Sequence, residues 1–343
     1  MLSLYRNVNG SFVTLATRTI AGSASGVFRF EVVGSSLKLF LNDNLQVFAF
    51  DTVHPGTGAT SSAGLRATGG NVAFDNFVLD PITTTTPTLD FGPDDFSTNY
   101  GSTRNQLTRD YVEQVGNVRV ESGTARNNAT TVMATLRGVS ESDMAVIGSV
   151  SLNAGTGRSI GLVARYGGPA QQNFYYAELF APTGSSVVQV NLYRNVNGAY
   201  TVIGTGSTVA GSAAGQLRFE VVGGSQKLFL NDVLVAHATD STITAAGSAG
   251  FRMTGAVGTV TLDNFEVDKV TLGAAPTLDF GPGTFTTAVR QQLDRDNYVE
   301  RAGNFKVDGG TATNNATVAM ATLRDISESD MAVIGSVSLN AGT

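Results

Sequence analysis

The sequence predicts an all-β protein, an antiparallel β-sandwich of the jelly-roll type. Apolar and polar residues alternate with a period of two in stretches such as VFRFEVVG (27–34) and SLKLFLND (36–43), which is the side-chain period of a strand. Gly, Ser, Asn and Asp interrupt these stretches roughly every 8–12 residues, as they do in sandwiches. No stretch longer than a turn or two supports an amphipathic helix.

Individual strands follow from the same alternation. DMAVIGSVSL (143–152) places its Met, Val and Leu side chains on one face, and TVTLDNFEV (259–267) behaves similarly. KLFLNDVLVAHA (227–238) predicts a hairpin with Asn231 and Asp232 at its turn, because Asn and Asp tolerate the positive φ angles of tight hairpins. Asp43 occupies the equivalent turn of an earlier hairpin.

The composition limits the classes of function. The chain has 343 residues, a net charge of −6 and no Cys, which argues against a nucleic-acid partner and excludes disulfides and thiolate metal sites. No apolar run is long enough to predict a membrane span. The first residues lack the basic and apolar regions of a signal peptide, so the signal of an exported protein would lie outside this chain.

Long stretches of the sequence occur twice. LYRNVNG stands at 4–10 and again at 192–198, and all sixteen residues of ESDMAVIGSVSLNAGT (141–156) return at 328–343. The period is about 188 residues, which is the size of a domain, so we expect a tandem array of domains.

Two Thr- and Pro-containing segments predict the boundaries of the repeats. PITTTTPT at 81–88 and residues 269–277 fall at equivalent points and are predicted linkers. The complete repeat is therefore 89–268, residues 1–80 are the carboxy-terminal part of a repeat, and 278–343 are the amino-terminal part of another. Residues 157–188 occur only once.

A resemblance to a known family lies in the order of four stretches within the predicted repeat. They are DDFSTNYGSTRNQLTRDYVEQVGNVRVESGTA, GLVARY, LRFEVVGGSQKLFLNDVLVAHATD and GSAGFRMTGAVGTVTLDNFEV. Together they resemble the concanavalin A-like, laminin-G-like jelly-roll repeats of large secreted bacterial surface proteins. The resemblance implies an extracellular or cell-surface location, in a fold that serves lectins, glycosidases and structural modules.

A glycosidase of this fold would need paired carboxylates, and the resemblance implies an E-x-D-x-x-E strand. Glu141 and Asp143 match its beginning, but Val146 stands where the second Glu should be. The second copy has the same departure at Glu328, Asp330 and Val333. We therefore predict that the protein is not an enzyme. His54 and His237 are in non-equivalent places and are interpreted as surface residues.

A calcium site is the one metal site that the sequence suggests, and no other cofactor is expected. The first and last strands of a jelly roll lie side by side, so Asp94 and Asp95 could approach Asp263 and offer oxygen ligands. In the next repeat, Gly283 and Thr284 replace Asp94 and Asp95. That replacement favours the alternative, in which these are ordinary strand-end residues.

A sugar site would need exposed aromatic side chains beside polar groups. The candidates are Arg165, Tyr166, Tyr175, Tyr176 and Phe229, the last on the outward face of its strand. Ordinary sheet packing is the alternative interpretation, because Tyr and Phe are common in strands.

Partial repeats lead to the functional hypothesis. A partial sandwich exposes apolar residues and open sheet edges, which neighbouring copies could cover head-to-tail. We expect a structural or adhesive module of an extracellular filament or cell-surface assembly. The alternative is a lectin-like array that binds polysaccharide and gains avidity from its repeats.

Overall fold

A computed structural model describes residues 1–20, 26–53, 63, 77–79, 91–96, 107, 110–168, 172–270, 297–308, 311–314 and 319–324. Every regular element in these ranges is a β-strand, and the chain divides into two units, Met1–Thr271 and Leu272–Thr343. His54, Glu328, Asp330, Val333, the first linker and most of the second lie outside the described residues. In the described part of the chain, no helix has the length and apolar character needed to cross a bilayer.

The first unit begins with five strands that belong to the predicted partial repeat. These are β1 (Leu2–Val8), β2 (Ser11–Arg18), β3 (Phe28–Val33), β4 (Ser36–Leu41) and β5 (Asn44–Phe50). β1 pairs with β2, and the second group forms a three-stranded sheet in the order β3-β4-β5. All of these pairings are antiparallel.

The predicted complete repeat forms a two-sheet sandwich. Its early strands are β6 (Phe91–Asp94), β7 (Tyr111–Val115), β8 (Val118–Glu121), β9 (Thr124–Asn127), β10 (Thr131–Leu136), β11 (Met144–Asn153), β12 (Arg158–Tyr166) and β13 (Phe174–Ala181). Its later strands are β14 (Val187–Val196), β15 (Ala199–Thr205), β16 (Val209–Ala210), β17 (Ser212–Val222), β18 (Ser225–Leu230), β19 (Val233–Thr239), β20 (Ser248–Thr254) and β21 (Thr261–Lys269).

Two eight-stranded antiparallel sheets enclose the core of the sandwich. Sheet 1 has the order β15-β14-β13-β12-β20-β10-β7, with β16 also beside β14. Sheet 2 has the order β19-β18-β17-β11-β21-β9-β8, with β6 also beside β21. The apolar inner faces of both sheets meet in one large cluster. The predicted all-β, antiparallel sandwich of the jelly-roll type is therefore confirmed.

The short second unit repeats the order of the early sandwich strands. Its described strands are β22 (Tyr298–Ala302), β23 (Phe305–Asp308), β24 (Thr311–Asn314) and β25 (Met320–Leu323). β22 pairs with β25 and β23 with β24, as β7 pairs with β10 and β8 with β9.

Two local predictions from the sequence are also confirmed. β18 and β19 form the expected hairpin, and the φ angles of Asn231 and Asp232 at its turn are 51° and 60°. Positive φ at both central residues is the conformation for which Asn and Asp are favoured in two-residue hairpins. β6 also pairs with β21, with Asp94 opposite Phe265, so the first and last strands of the repeat are neighbours.

One buried amide ties the two ends of the sandwich sequence together. The side chain of Asn127 on β9 is 1% exposed, and its nitrogen lies 2.9–3.2 Å from the carbonyls of Ala129 and residues 255–256. Its oxygen accepts the amide hydrogens of residues 259–260 at 3.1 and 2.9 Å. A single side chain therefore provides partners for four backbone groups of the turn before β21.

We expect Asn127→Ala to lower the free energy of unfolding by about 3 kcal/mol, because it leaves several buried backbone groups without partners. In thermal denaturation followed by circular dichroism, that loss corresponds to a drop of roughly 6–12 °C. Asn191→Ala, at a half-buried position on β14, serves as the control and should change the midpoint by much less. Equal shifts for the two variants would contradict the role given to Asn127.

Candidate functional site

The five residues predicted for sugar binding are all buried. Each of them is 8% exposed or less, and they do not all lie together. They are Arg165, Tyr166, Tyr175, Tyr176 and Phe229. Tyr175 belongs to the core between the sheets, whereas Tyr166 and Tyr176 lie in a cluster on the outer face of sheet 1. Phe229 does face outward from sheet 2, but the guanidinium of Arg218 stacks on its ring at 3.9 Å.

Arg165 binds backbone at the edge of the sandwich. Its guanidinium donates to the carbonyls of Ile243 at 2.7 Å and Gly223 at 2.8 Å, and to that of Ser142. It also pairs with the carboxylate of Asp143 at 3.2 Å. Three loops are therefore held together by one buried side chain, and every one of these partners is a protein group.

Tyr175 has a similar internal role. Its hydroxyl donates to the Asp240 carboxylate at 2.8 Å and accepts the amide hydrogen of Ile243 at 3.1 Å. Burial raises the pKa of Tyr175 to about 12. Burial also acts to raise the pKa of Asp240, but hydrogen bonds from Thr242 and Tyr175 outweigh it and hold that pKa below its ordinary value.

A small pocket opens on the outer face of sheet 1. It has a volume of about 220 Å³ and is lined by Tyr176, Glu178, Tyr193, Tyr200 and Arg252. Tyr176 and Tyr193 stack with their ring centres 5.9 Å apart, and the guanidinium of Arg252 lies 5.7 Å from the rings of Tyr176 and Tyr200. Of the three tyrosines that line the pocket, Tyr200 is the most exposed, with 40% of its surface accessible.

The charged groups of the pocket are held by its tyrosines. The Glu178 carboxylate accepts a hydrogen bond from the hydroxyl of Tyr176 at 3.2 Å. Burial, followed by the charge of Glu178, raises the pKa of Tyr193 to about 12. The pocket therefore offers ring faces, a carboxylate acceptor and a cationic donor in one place, which is the chemistry that recognises a hydroxyl-rich ligand.

The sequence identified only Tyr176 among the residues of this pocket. Glu178 was detectable, because it is two residues from Tyr176 on the same strand and therefore shares its face. Tyr193, Tyr200 and Arg252 come from β14, β15 and β20, and their approach depends on the order of strands in sheet 1.

The structure does not gather the three predicted calcium ligands. Asp94 lies beside β21 as expected, but its carboxylate accepts hydrogen bonds from the Phe96 amide and the Tyr111 hydroxyl, each at 3.0 Å. Asp263 accepts the amide hydrogen of Asn264 at 2.7 Å, and Asp95 is exposed. Within the described ranges, no group of three His, Asp or Glu side chains is placed to hold a metal ion.

The positions that resemble a glycosidase strand have other surroundings. Val146 is fully buried in the core, and Glu141 pairs with Lys269 at 3.3 Å. Asp143 accepts the amide hydrogen of Gly223 at 2.8 Å. His237 is exposed on β19, and partial burial together with the charge of Lys227 lowers its pKa.

A second candidate surface is the inner face of β3. Phe28, Phe30 and Val32 are 47%, 56% and 43% exposed. Their counterparts on β17 in the complete repeat are Leu217, Phe219 and Val221, which are 0%, 1% and 0% exposed. β17 is covered because its inner face packs into the core against sheet 1. On its edge, β17 also pairs with β11, whereas β3 pairs only with β4 among the described strands.

Comparison with solved structures finds β-sandwich proteins that are similar to part of this chain. No family model matches the sequence, and no curated protein matches it either. The carbohydrate-binding module CBM66 from Bacillus subtilis is 22% identical with a TM-score of 0.38, over 46% of this chain and 95% of the module.

Two further structures show the same level of similarity. A Bacillus subtilis protein of unknown function with a galectin-like fold is 11% identical, with a TM-score of 0.38 over 47% of this chain and 89% of its own. A Bacillus licheniformis β-glucanase is 12% identical, with a TM-score of 0.37 over 54% and 99%. TM-scores below 0.5 assign neither binding nor catalysis to this chain.

The raised tyrosine pKa values predict an alkaline transition. Stability contributed by Tyr175 and Tyr193 is present below the ordinary tyrosine pKa of about 10 and is lost as the pH rises towards about 12. Because the chain has no Trp, an absorbance titration should show a late tyrosine step near pH 12. Tyr175→Phe should reduce that step.

The control for this titration is Tyr5→Phe, since Tyr5 is 52% exposed. This variant should leave the step near pH 12 unchanged. A native chain whose tyrosines all ionise together near pH 10 would contradict the burial assigned to Tyr175 and Tyr193.

Proposed function

We propose that the chain is a structural and adhesive repeat module of an extracellular or cell-surface assembly, in which neighbouring copies cover each other's open sheets. The single observation that carries this proposal is the exposed apolar face of β3. Its extracellular setting rests on the resemblance of the repeats to those of secreted bacterial surface proteins.

The exposed face has an energetic reason to find a partner. Burial of a fully exposed large apolar side chain contributes about 1.5–3 kcal/mol, so covering the exposed half of three of them contributes roughly 2–5 kcal/mol. β3 is also an edge strand in the described sheet β3-β4-β5, with backbone groups available for pairing. Strand addition would satisfy these backbone groups and would place further apolar side chains beside those of β3.

The proposed occupant is residues 331–340 of another copy of the chain. This segment has the same sequence as β11, and β11 is the strand that covers β17, with Met144 opposite Val221 and Val146 opposite Phe219. Transferred to the equivalent positions, Met331 would stand opposite Val32 and Val333 opposite Phe30. The same residues that pack in the complete repeat would then pack between copies.

Strand addition would extend one sheet only. In the complete repeat, sheet 1 is centred on β12 and β13, and these strands lie within residues 157–188, which occur once. A segment of the β11 type therefore extends the sheet β3-β4-β5 and supplies no counterpart of β12 or β13. We accordingly propose an assembly held by sheet extension, with one complete sandwich in each chain.

A second candidate function is polysaccharide binding by the pocket on sheet 1, and this also gives the adhesive role a ligand. Tyr200 offers a partly exposed ring, and Glu178 and Arg252 offer an acceptor and a donor beside it. Solved β-sandwiches similar to this chain include a carbohydrate-binding module by name. The support for the proposal is the pocket chemistry.

We also propose that the module has no glycosidase activity. Val146 occupies the position of the second carboxylate and lies in the core, while Asp143 is bonded to Arg165 and a backbone amide. Retaining hydrolysis requires two carboxyl groups about 5 Å apart on a substrate-facing surface.

The assembly proposal predicts concentration-dependent association of the full chain. In light scattering coupled to gel filtration, the mass should exceed 35.6 kDa at high concentration and fall towards it on dilution. Phe30→Asp should weaken association by about fivefold, because a charge would replace the ring in the cross-strand pair with Val333, and such a pair contributes about 1 kcal/mol. Val333→Asp, on the proposed occupant, should have the same effect.

The control is Val27→Asp, which changes a 64% exposed residue just before β3 and should leave association intact. A wild-type chain that stays at 35.6 kDa throughout would overturn the proposed assembly. So would equal loss of association in the Val27 and Phe30 variants.

The pocket predicts saturable binding of a neutral polysaccharide. In affinity electrophoresis against a panel of soluble glucans, galactans and fructans, Tyr200→Ala should weaken the retardation by about tenfold, since stacking on one ring contributes about 1 kcal/mol or more. Val233→Ala, at a 59% exposed position away from the pocket, is the matched control. Equal retardation of the wild type and the Tyr200 variant would falsify this assignment.

A further inference from the structure

The outer faces of β3 and β4 are covered, although the inner face of β3 is exposed. Lys38 on β4 is fully buried, and its ammonium bonds to the carboxylate of Glu113 and to the side-chain oxygen of Asn117 at 3.2 Å. Glu31 lies 3.4 Å from the same ammonium. Glu113 is on β7 and Asn117 follows it, so two sequence repeats meet at this lysine.

Four residues build the covered face, and we call them the docking quartet: Arg29, Glu31, Lys38 and Phe40. They form two adjacent pairs of the β3–β4 ladder, Arg29 opposite Phe40 and Glu31 opposite Lys38. The guanidinium of Arg29 lies 3.8 Å above the ring of Phe40 and pairs with the carboxylate of Glu31. The quartet is thus one connected surface of stacked and paired charges.

The β7 edge carries the carboxylate that contacts this face. One oxygen of Glu113 accepts the amide hydrogen of Val118, and the other receives the lysine ammonium. Burial raises the pKa of Glu113 above its ordinary value, while the charge of Lys38 acts in the opposite direction. A buried carboxylate without a cation is strongly unfavourable, so the lysine is required where this edge is covered.

Both halves of the arrangement recur in the chain. The quartet returns as Arg218, Glu220, Lys227 and Phe229, with the same ladder pairs and with Arg218 at 3.9 Å from the ring of Phe229. All four are at most 5% exposed. In the second unit, the carboxylate of Glu300 accepts the amide hydrogen of Phe305 at 2.6 Å, as Glu113 accepts that of Val118.

We infer that the quartet is a docking surface for the β7 edge of another copy of the repeat, with the Lys38–Glu113 pair as its specific contact. A repeat with a quartet on one side and a Glu-x-x-x-Asn edge on the other can dock head-to-tail without limit. This joint uses the outer face of the sheet, so it is independent of strand addition at β3.

The test is a charge exchange in the full chain. Because the chain has no Cys, spin labels can be attached to Thr14→Cys and Val257→Cys, one on each side of the joint. We expect one narrow distance distribution by pulsed electron resonance, a distribution at least twice as broad in Lys38→Glu or Glu113→Lys, and a narrow distribution again in the double variant.

Lys269→Glu is the control, because Lys269 forms a partly exposed pair with Glu141 within the sandwich; it should leave the distribution narrow. Amide hydrogen exchange of β11 and β17 reports in each variant whether the sandwich is folded. A folded Lys38→Glu variant with an unchanged distribution would overturn the inference, as would a folded double variant that stays broad. If the double variant does not fold, Lys38→Met is measured instead, and a narrow distribution there overturns the inference.

Measurements are made in dilute solution, at a concentration where the chain is monomeric. Failure of strand addition between chains would therefore leave this readout intact. Conversely, failure of the joint would not alter the association measured for the wild-type chain, because that association is attributed to strand addition at β3 and not to the quartet. The two proposals can thus fail separately.

Discussion

The antiparallel pairing of β11 with β17 is the interaction on which the sandwich depends. It runs through ten residue pairs, from Met144 opposite Val221 to Asn153 opposite Ser212. The pairing places β11 at the centre of sheet 2, with β21 on its other side. The inner face of β17 is buried in the core between the two sheets, whereas the equivalent face of β3, which has no β11-type neighbour among the described strands, is exposed.

Sheet 2 is also packed on its outer face, and this explains why one of the residues predicted for sugar binding, Phe229, is buried. Phe229 was expected to face outward, and it does, but Arg218 covers its ring. Period-two alternation assigns each residue to one of two faces. It does not reveal that a charged quartet makes the second face a packed surface as well.

Much of the fold could be predicted because it is encoded locally. The alternation of apolar and polar residues predicts the strands, and Asn231 with Asp232 predicts the hairpin turn. The pocket could not be predicted in the same way, because Tyr175 and Tyr176 are consecutive and alternation alone does not say which of them faces the core. Register decides it: Tyr176 stands opposite Tyr193 in the ladder of β13 and β14. Tyr200 and Arg252 then join from strands distant in sequence.

Assembly and ligand binding can coexist in one repeat because they use different surfaces. The pocket is on the outer face of sheet 1, whereas the joint uses the quartet on sheet 2 and the β7 edge. The partial repeat preserves the quartet unchanged and keeps Tyr5 at the position of Tyr193, but Phe12 on β2 replaces Tyr200. A joint that is used at every repeat must keep the same residues on both sides. A ligand pocket carries no such constraint, so its chemistry is free to differ from one repeat to the next.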